Sequence, residues 1–323
     1  MFKLYNTMSR TIGEVRSLQP GFVKMYTCGP TVYRDPHVGN YRSYLMADWI
    51  RRALEYQRIS VRHVKNITDV GHMRQDMLER GDDKVIAEAR ARGMKPQQIA
   101  QHYTGRFLSD EKKLNIIPAE YFPKATDHID EMISMVVSLL DQGYAYEANG
   151  NVYFDVSKFQ EYGSLSGNVG LAVLNGVSRT EVDVLKDDPR DFTLWKKAEP
   201  GRELTWDSPW GKGFPGWHIE CSAMSMKYLG DQFDIHTGGV DNIFPHHDDE
   251  IAQSEAFIGR KVVNTWVHGQ HLLADGVKMS KSTGNSFTLP DIESHGIDPL
   301  ALRYLCLTAR YGARLDFTFT SLR

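Results

Sequence analysis

The segment from Phe22 to Ile67 constrains the fold most, because its hydrophobic period changes along the way. Phe22–Cys28 alternates and is rich in strand-forming residues, and a loop with glycine and two prolines follows it. From His37 onward apolar residues recur at helical spacing, and a second strand is predicted around Ser60–Ile67. A strand, loop, helix and strand of this size indicate one βαβ unit of a parallel sheet.

Further patterns extend this unit into a larger α/β protein. They are a charged helical stretch over 84–115, a helix over Thr126–Gln142 that stops at Gly143, a hairpin turning at Asn149-Gly150, strands near Asp231–His236 and Thr265–His271, and helical spacing from Asp298 onward. Residues 157–204 carry few strong patterns. We therefore predict that residues 120–205 are an insertion between two halves of one α/β sheet.

The bulk composition is that of an ordinary soluble globular chain. Of the 323 residues, 41% are hydrophobic and 24% are charged, and the net charge is −3. A nucleic-acid partner would therefore need a local basic patch. The three cysteines are too sparse for a disulfide framework, which favours a reducing, cytoplasmic setting. We also expect no signal peptide and no membrane span.

Four scattered residues offer ligands for a metal ion. His246 and Glu250 lie four apart after Pro245, so on a helix they share one face. Taken alone, this pair is more typical of a partly exposed helix start. Cys28 at the end of a strand and Cys221 add two soft thiolates, and the four together suit tetrahedral zinc. Any such site must be assembled by the fold, which suits a catalytic or substrate-binding role.

Two short segments offer contacts for a polyphosphate. His37, Gly39 and Asn40 begin the predicted helix, where free N–H groups and the positive dipole end attract phosphate, although taken alone this pattern is far more typical of a plain capping turn. The string Lys278–Ser282 places two lysines around a serine between flanking glycines. Such a loop can bring two cations onto a leaving pyrophosphate, and its alternative is a solvated basic turn.

These segments resemble a known family. His37–Asn40 is similar to the HIGH motif of class I aminoacyl-tRNA synthetases, with asparagine in the last place, and Lys278–Ser282 matches the KMSKS motif letter for letter. The strings CGPTVY, NITD, GWHIECSAM and FPHHDDEIAQS resemble cysteinyl-tRNA synthetases specifically. The likeness runs from about residue 20 to residue 315. Members of that family continue into a helical domain and an anticodon-reading region, whereas this sequence stops at Arg323. It is therefore either part of a longer chain or a short relative of the family.

The resemblance assigns roles to individual residues. It implies one zinc ion per chain, which takes the thiolate of substrate cysteine as a further ligand and is held by Cys28, Cys221, His246 and Glu250. It implies contacts to ATP from His37, Gly39, Asn40, Lys278, Ser280 and Lys281, with His37, Asn40, Lys278 and Lys281 acting in catalysis. It also places Thr68, Trp217 and Asp241 beside the amino acid. A core tryptophan and a capping aspartate are the plainer interpretations of the last two.

The implied architecture is a Rossmann-like (HUP-type) parallel sheet with an inserted connective α+β subdomain. We expect the first half of the catalytic domain at 1–119, the connective insertion at 120–205, the second half with the KMSKS loop at 206–290, and the start of a stem-contact helical region at 291–323.

The implied reaction has two steps. ATP, with Mg²⁺, activates L-cysteine as cysteinyl-adenylate, and the cysteinyl group then passes to the acceptor end of tRNA(Cys). We expect a monomer. One alternative keeps the activation but transfers cysteine to an amino sugar, as in mycothiol assembly. Another is a zinc- or cysteine-sensing module without catalysis, which the intact nucleotide motifs and ligands disfavour.

Overall fold

The computed structural model describes residues 2–70, 73–75, 80–168, 185–279 and 284–323, with backbone alone at 73–75 and 80–82. The strands in this part are β1 (Lys3–Asn6), β2 (Thr11–Glu14), β3 (Phe22–Thr27), β4 (Ser60–Lys65), β5 (Met73–Gln75), β6 (Arg80–Asp83), β7 (Ala145–Ala148), β8 (Asn151–Phe154), β9 (Phe192–Lys197), β10 (Gly213–Pro215), β11 (Phe233–Gly239), β12 (Val263–Gly269), β13 (Leu272–Ala274), β14 (Val277–Lys278) and β15 (Leu315–Phe317). The helices are α1 (Val38–Tyr56), α2 (Lys84–Arg92), α3 (Pro96–Lys113), α4 (Ile129–Asp141), α5 (Trp217–Leu229), α6 (Asp248–Ile258), α7 (Leu289–Ser294) and α8 (Leu300–Leu307).

A four-stranded parallel sheet in the order β12-β11-β3-β4 forms the centre of the molecule. β3 pairs with β4 on one side and with β11 on the other, so the strand order reverses between β3 and β11. In open α/β sheets, ligands bind at the carboxyl ends of the strands beside such a reversal. Cys28 follows β3 and Gly239 ends β11 at that edge. The predicted α/β fold with a parallel sheet is confirmed.

Helices cover both faces of this sheet. Met25 and Ile235 of the sheet pack with the apolar face of α1, whereas Tyr26, the next residue along β3, packs with Cys221 of α5 and Ile251 of α6. This alternation follows from the two-residue period of side chains along a strand. Helices on both sides leave most residues of the two central strands buried, including the polar Asp234 and His236 of β11.

A second sheet, antiparallel in the order β10-β9-β8-β7, packs with α4. The predicted hairpin is confirmed: Asn149 and Gly150 between β7 and β8 both have positive φ, 54° and 81°, as a type I′ turn requires. The predicted helix over Thr126–Gln142 is confirmed as a 3₁₀ turn followed by α4. It ends before Gly143, whose φ is 77°.

The predicted helical stretch over 84–115 is confirmed, and it consists of two helices because Gly93 adopts the left-handed conformation with φ 64° and closes α2. Two features were not predicted. β9 lies within the segment that showed few patterns, and its Phe192, Leu194 and Trp195 are buried. β13 joins β14 and β15 in a small sheet that the sequence did not predict.

The carboxyl-terminal part agrees with its pattern, since α8 begins at Leu300, close to the predicted start at Asp298. Among the helices of the described ranges, none combines the length and the apolar character that crossing a membrane requires.

Candidate active site

The four side chains of the predicted metal quartet come from separate parts of the fold and converge in the interior. Cys28 follows β3, Cys221 lies in α5, His246 lies in the turn before α6, and Glu250 lies in the first turn of α6. The two Sγ atoms are 3.9 Å apart, and Oε1 of Glu250 is 3.6 Å from Cys28 Sγ and 3.0 Å from His246 Nε2. All four residues are buried, and their ligand atoms lie within 4.8 Å of one another.

The spacing of these atoms fits a single metal ion. Zinc bonds of about 2.0–2.3 Å in a tetrahedral site place neighbouring ligand atoms about 3.3–3.8 Å apart. The distances between the quartet's atoms, 3.0, 3.6 and 3.9 Å, lie close to that range. Two thiolates, an imidazole and a carboxylate are also donor types that zinc accepts. The cluster can therefore hold a metal ion.

A second set of possible ligands overlaps the first and was missed by the sequence analysis. His236 and His247 join Cys28 and Glu250, and their ligand atoms also lie within 4.8 Å of one another. Glu250 faces both sets, because its Oε2 is 2.9 Å from His236 Nε2 while its Oε1 faces His246. His247 Nε2 is 3.2 Å from Cys28 Sγ. The doubled histidine after Pro245 was the one signal in the sequence for His247.

The buried ionisable groups of the cluster shift one another's pKa values. Burial acts to raise the pKa of Glu250, but His236 and His246 hold it at about 2. Burial acts to lower the pKa of His246, yet Glu250 and Cys221 raise it to about 10. The hydrogen bond with Cys28 lowers the pKa of Cys221, whereas burial raises that of Cys28. A metal ion competes with these protons, because it binds the deprotonated ligands.

A series of polar side chains contacts His246 at Nδ1, the ring nitrogen that does not face the metal cluster. His218 Nδ1 is 2.8 Å from His246 Nδ1, and His218 Nε2 is 3.1 Å from Oδ2 of Asp249. Tyr162 in turn donates its hydroxyl to Asp249 Oδ1 at 2.6 Å. With Nδ1 engaged, His246 presents Nε2 to the cluster, as supporting groups commonly arrange for metal-binding histidines. The sequence held a signal for His218, which lies three residues before Cys221 and therefore on the same face of α5.

A cleft of about 310 Å³ lies at the carboxyl ends of the central strands and joins the predicted sites. Its walls include residues from every predicted group: Cys28 of the metal quartet, Trp217 and Asp241, the helix-start residues His37, Gly39 and Asn40, and Lys278. Within the described ranges, Cys28 is the only quartet member among its lining residues. The metal cluster therefore borders the cleft at Cys28.

The start of α1 leaves polar atoms for a ligand. The backbone N–H of His37 donates to Oδ1 of Asn40 at 3.0 Å, so the Asn40 side chain caps the helix. His37 Nδ1 is buried and has no hydrogen-bond partner within the described part of the chain. Burial, together with Arg34 and Lys278, lowers the pKa of His37 to about 4, so its ring is neutral at pH 7. A Cβ on Gly39 would lie only 3.0 Å from His37 Nδ1.

Lys278 reaches the cleft from the hairpin of β13 and β14. The hairpin turns at Asp275 and Gly276, which both have positive φ. The Lys278 ammonium lies 2.7 Å from Oδ1 of Asp241, and both side chains are more than half exposed. The next predicted ATP contacts, Ser280 and Lys281, lie outside the described residues.

The residues predicted to contact the amino acid do not all line the cleft. Trp217 lines the cleft and stacks on His246, with ring centroids 4.4 Å apart. Thr68 is buried, and its hydroxyl donates to Oε2 of Glu220 at 2.9 Å. The structure therefore places Trp217 and Asp241 on the cleft wall and Thr68 in a buried hydrogen bond with a carboxylate of α5.

Comparison with known proteins agrees with this architecture. Curated proteins named "Cysteine--tRNA ligase" from Chlorobaculum tepidum and Thermus thermophilus are each 46% identical to this chain over 324 and 320 aligned residues, covering 99% of it. The protein of that name from Pyrococcus furiosus is 46% identical over the whole chain. The chain spans 65–66% of the length of these relatives.

Solved structures and a family model extend the comparison. Mycobacterium tuberculosis methionyl-tRNA synthetase in complex with methionyl-adenylate superposes with a TM-score of 0.69 over 93% of this chain and 67% of its own, at 16% identity, which shows a shared fold. The family model described as "tRNA synthetases class I (C) catalytic domain" matches residues 14–323. The resemblance noted in the sequence is thereby confirmed, and the chain belongs to the family of class I (C) tRNA synthetase catalytic domains.

Proposed function

We propose that this chain activates L-cysteine with ATP as cysteinyl-adenylate and passes the cysteinyl group to tRNA(Cys). One observation carries the proposal: Cys28, which belongs to a four-ligand metal cluster, lines the same cleft as His37, Asn40 and Lys278. A purely structural metal site would not need to border a nucleotide cleft, and a nucleotide site would not need a metal cluster beside it. An enzyme that selects a sulfur-bearing substrate and couples it to ATP needs both.

In this proposal one zinc ion is held by Cys28, Cys221, His246 and Glu250. When bound, zinc supplies a soft Lewis-acidic centre that accepts the substrate thiolate as a further ligand. Serine is nearly isosteric with cysteine, and a pocket that discriminates by fit alone gives modest ratios between such substrates. The protein's part is to keep the ligands buried and oriented, with His218 and Asp249 fixing the ring of His246.

The nucleotide lies between the start of α1 and the β13–β14 hairpin. The start of α1 offers it the positive end of a helix dipole, and the ring Nδ1 of His37 and the side chain of Asn40 offer polar contacts beside Gly39. Lys278, Ser280 and Lys281 would contact its phosphates, where Mg²⁺ would supply further positive charge. The cysteine carboxylate attacks the α-phosphorus in line, a new P–O bond forms, and the bond to the bridging oxygen of pyrophosphate breaks. Neutral His37 adds hydrogen bonding without charge, while the lysines neutralise the departing pyrophosphate.

The substrate ammonium and Lys278 share one carboxylate in this arrangement. Asp241 accepts from Lys278 at 2.7 Å, and it is the carboxylate proposed to pair with the ammonium of cysteine. Trp217, stacked on His246, forms the adjoining wall over the amino acid. Thr68 supports this region through Glu220 of α5. These roles place the substrate carboxylate between the metal cluster and the phosphates.

The acceptor completes the proposal. A ribose hydroxyl at the 3′ end of tRNA attacks the adenylate carbonyl, and AMP leaves. We also propose the division into residues 1–119, 120–205, 206–290 and 291–323, a monomeric state and a cytoplasmic location. Transfer to an amino sugar is the competing outcome, and the family relationship favours tRNA.

Cysteine-dependent exchange of label between pyrophosphate and ATP tests the activation step. Zinc-loaded protein is expected to catalyse exchange with cysteine and far more weakly with serine. Charging of transcribed tRNA, run beside ligation to an amino sugar, then identifies the acceptor. Absence of exchange in zinc-loaded protein would reject the activation step and leave a sensing role.

A further inference from the structure

A second cavity, of about 160 Å³, lies beside α2, separate from the cleft of the proposed reaction. Its described walls come from Asp83 and α2 on one side, and from the end of β9, the following turn and Phe214 on the other. The first residue of α2, Lys84, lines the main cleft, whereas its neighbour Asp83 lines this cavity. Two adjacent residues at the start of one helix therefore line different cavities.

The walls of this cavity carry an excess of positive charge. Arg90, Lys196, Lys197 and Arg202 line it, against two carboxylates, Asp83 and Glu199. Asp83 is already engaged, because Oδ1 accepts from the backbone N–H groups of Val85 and Ile86 while Oδ2 pairs with Arg202. In a chain whose net charge is −3, such a concave cationic surface is a local feature. Concave walls of one sign concentrate counter-ions.

Arg202 is built into this cavity as a donor with an unused hydrogen. Its side chain is about nine-tenths buried, at 10% exposure, and its guanidinium carbon lies 3.6 Å from the centre of the Phe214 ring. Its Nη2 pairs with Asp83, but its buried Nε has no hydrogen-bond partner within the described residues. A buried donor without a partner destabilises the protein, so an acceptor from a ligand would relieve a penalty already present.

We propose that this cavity binds a phosphate group. A guanidinium presents its N–H groups in a planar fork that suits phosphate oxygens, and lysines add point charges around it. Arg90 and Lys197 are exposed at the rim, so they remain accessible to an incoming anion. The phosphate has two possible sources, the backbone of an RNA bound under the proposed function or a free phosphate compound. The first source rests on that function, and the second does not.

The double variant Arg90→Ala with Lys197→Ala tests the proposal, because both side chains are exposed and their loss should leave the fold intact. Lys158→Ala with Lys261→Ala removes the same charge from exposed positions outside the cavity and is the matched control. Two quantities are measured: the affinity for a short RNA hairpin with a single-stranded 3′ end at several salt concentrations, and the stabilisation against heating by inorganic phosphate relative to chloride of equal ionic strength.

If RNA is the source, the cavity variant binds the hairpin roughly 10-fold more weakly, and the salt slope falls by about 1–2 relative to the control. If a free phosphate compound is the source, RNA affinity is unchanged but stabilisation by phosphate is lost. Equal behaviour of the cavity and control variants in both assays would overturn the proposal. Pyrophosphate exchange, measured on the same variants, should remain at the wild-type rate. Absence of exchange in the wild-type protein would instead count against the proposed function, and it would leave the phosphate-binding test of this cavity unaffected.

Discussion

At the scale of single residues, the three cysteines of this chain have different surroundings although all are buried and free. Cys28 and Cys221 face each other with an imidazole and a carboxylate beside them, whereas Cys306 packs in the apolar cluster around α8. A buried cysteine is most often a small apolar residue, and Cys306 fits that description. The environment, and not burial, separates the proposed ligands from it.

Replacing Cys221 with alanine should lower zinc content and the affinity for cysteine together, because the same ion is proposed to do both. A lost ligand or supporting group commonly reduces metal affinity by about 10–100-fold or more. Metal analysis of purified protein and cysteine titration measure the two effects. Cys306→Ala is the matched control and should keep full zinc. Full zinc content in the Cys221 variant would show that the ligand set is wrong.

The lowered pKa of His37 predicts a pH dependence of stability. Its folded-state pKa of about 4 lies below the reference value of 6.5, so between these values the unfolded chain binds a proton that the folded chain refuses. The contribution is therefore complete above pH 6.5 and is lost as pH falls toward 4. Denaturant unfolding of His37→Gln should show a slope of free energy against pH smaller by up to about 1.4 kcal/mol per unit in that window.

His102→Gln, which changes an exposed histidine, is the control for this comparison. Identical pH slopes for wild type and His37→Gln would contradict the buried, neutral state assigned to the ring.

At the scale of elements, one side chain of α1 ties together the parts that carry the nucleotide motifs. Arg42 is buried and donates to the backbone carbonyls of Gln270 and His271, which follow β12, and of Arg310 and Ala313, which precede β15. β15 pairs with β13, and β13 pairs with β14, which holds Lys278. The helix α1, which His37 precedes, is thus joined to the lysine-bearing hairpin through four carbonyls.

Arg42→Met should keep the volume but leave four carbonyls without this donor. We expect the free energy of unfolding to fall by about 2–5 kcal/mol. Exchange of pyrophosphate should also lose more rate than the stability loss explains at temperatures where the variant is folded, because Lys278 is no longer held in register. Arg62→Met, at an exposed position of β4, should change stability by less than about 0.5 kcal/mol.

Equal activity per folded molecule in the Arg42 variant and in wild type would refute the proposed coupling between α1 and the hairpin.

At the scale of the whole molecule, the periodicity of apolar residues predicted the elements that form between residues close in sequence. The βαβ unit, α4 and the Asn149-Gly150 hairpin follow from side-chain period and turn chemistry, and they are present as predicted. The sheet of β13, β14 and β15 was not predictable, because its strands are two or three residues long and one of them comes from the far end of the chain. Strands that short carry no measurable period.

The metal cluster also contains contacts that could not be predicted from the sequence. His246 and Glu250 could be paired from helical spacing, but the meeting of Cys28 with Cys221 depends on the order of strands in the sheet and on the packing of α5 against it. His218 shares a helix face with Cys221, but that spacing does not assign its contact with His246, and no pattern in the sequence indicated His236. The four residues could be chosen from the sequence because their side chains suit zinc. Their proximity could not be predicted, because it depends on the folded chain.

Cobalt can replace zinc in sites of this kind and reports directly on its ligands by absorption, so it offers the sharpest test of thiol recognition beside the cleft. Cobalt-loaded protein should show a thiolate-to-metal charge-transfer band from Cys28 and Cys221. Adding L-cysteine should intensify that band, because a third sulfur joins the ion, and adding L-serine at the same concentration should not. A band that cysteine leaves unchanged, or that serine alters equally, would contradict the account.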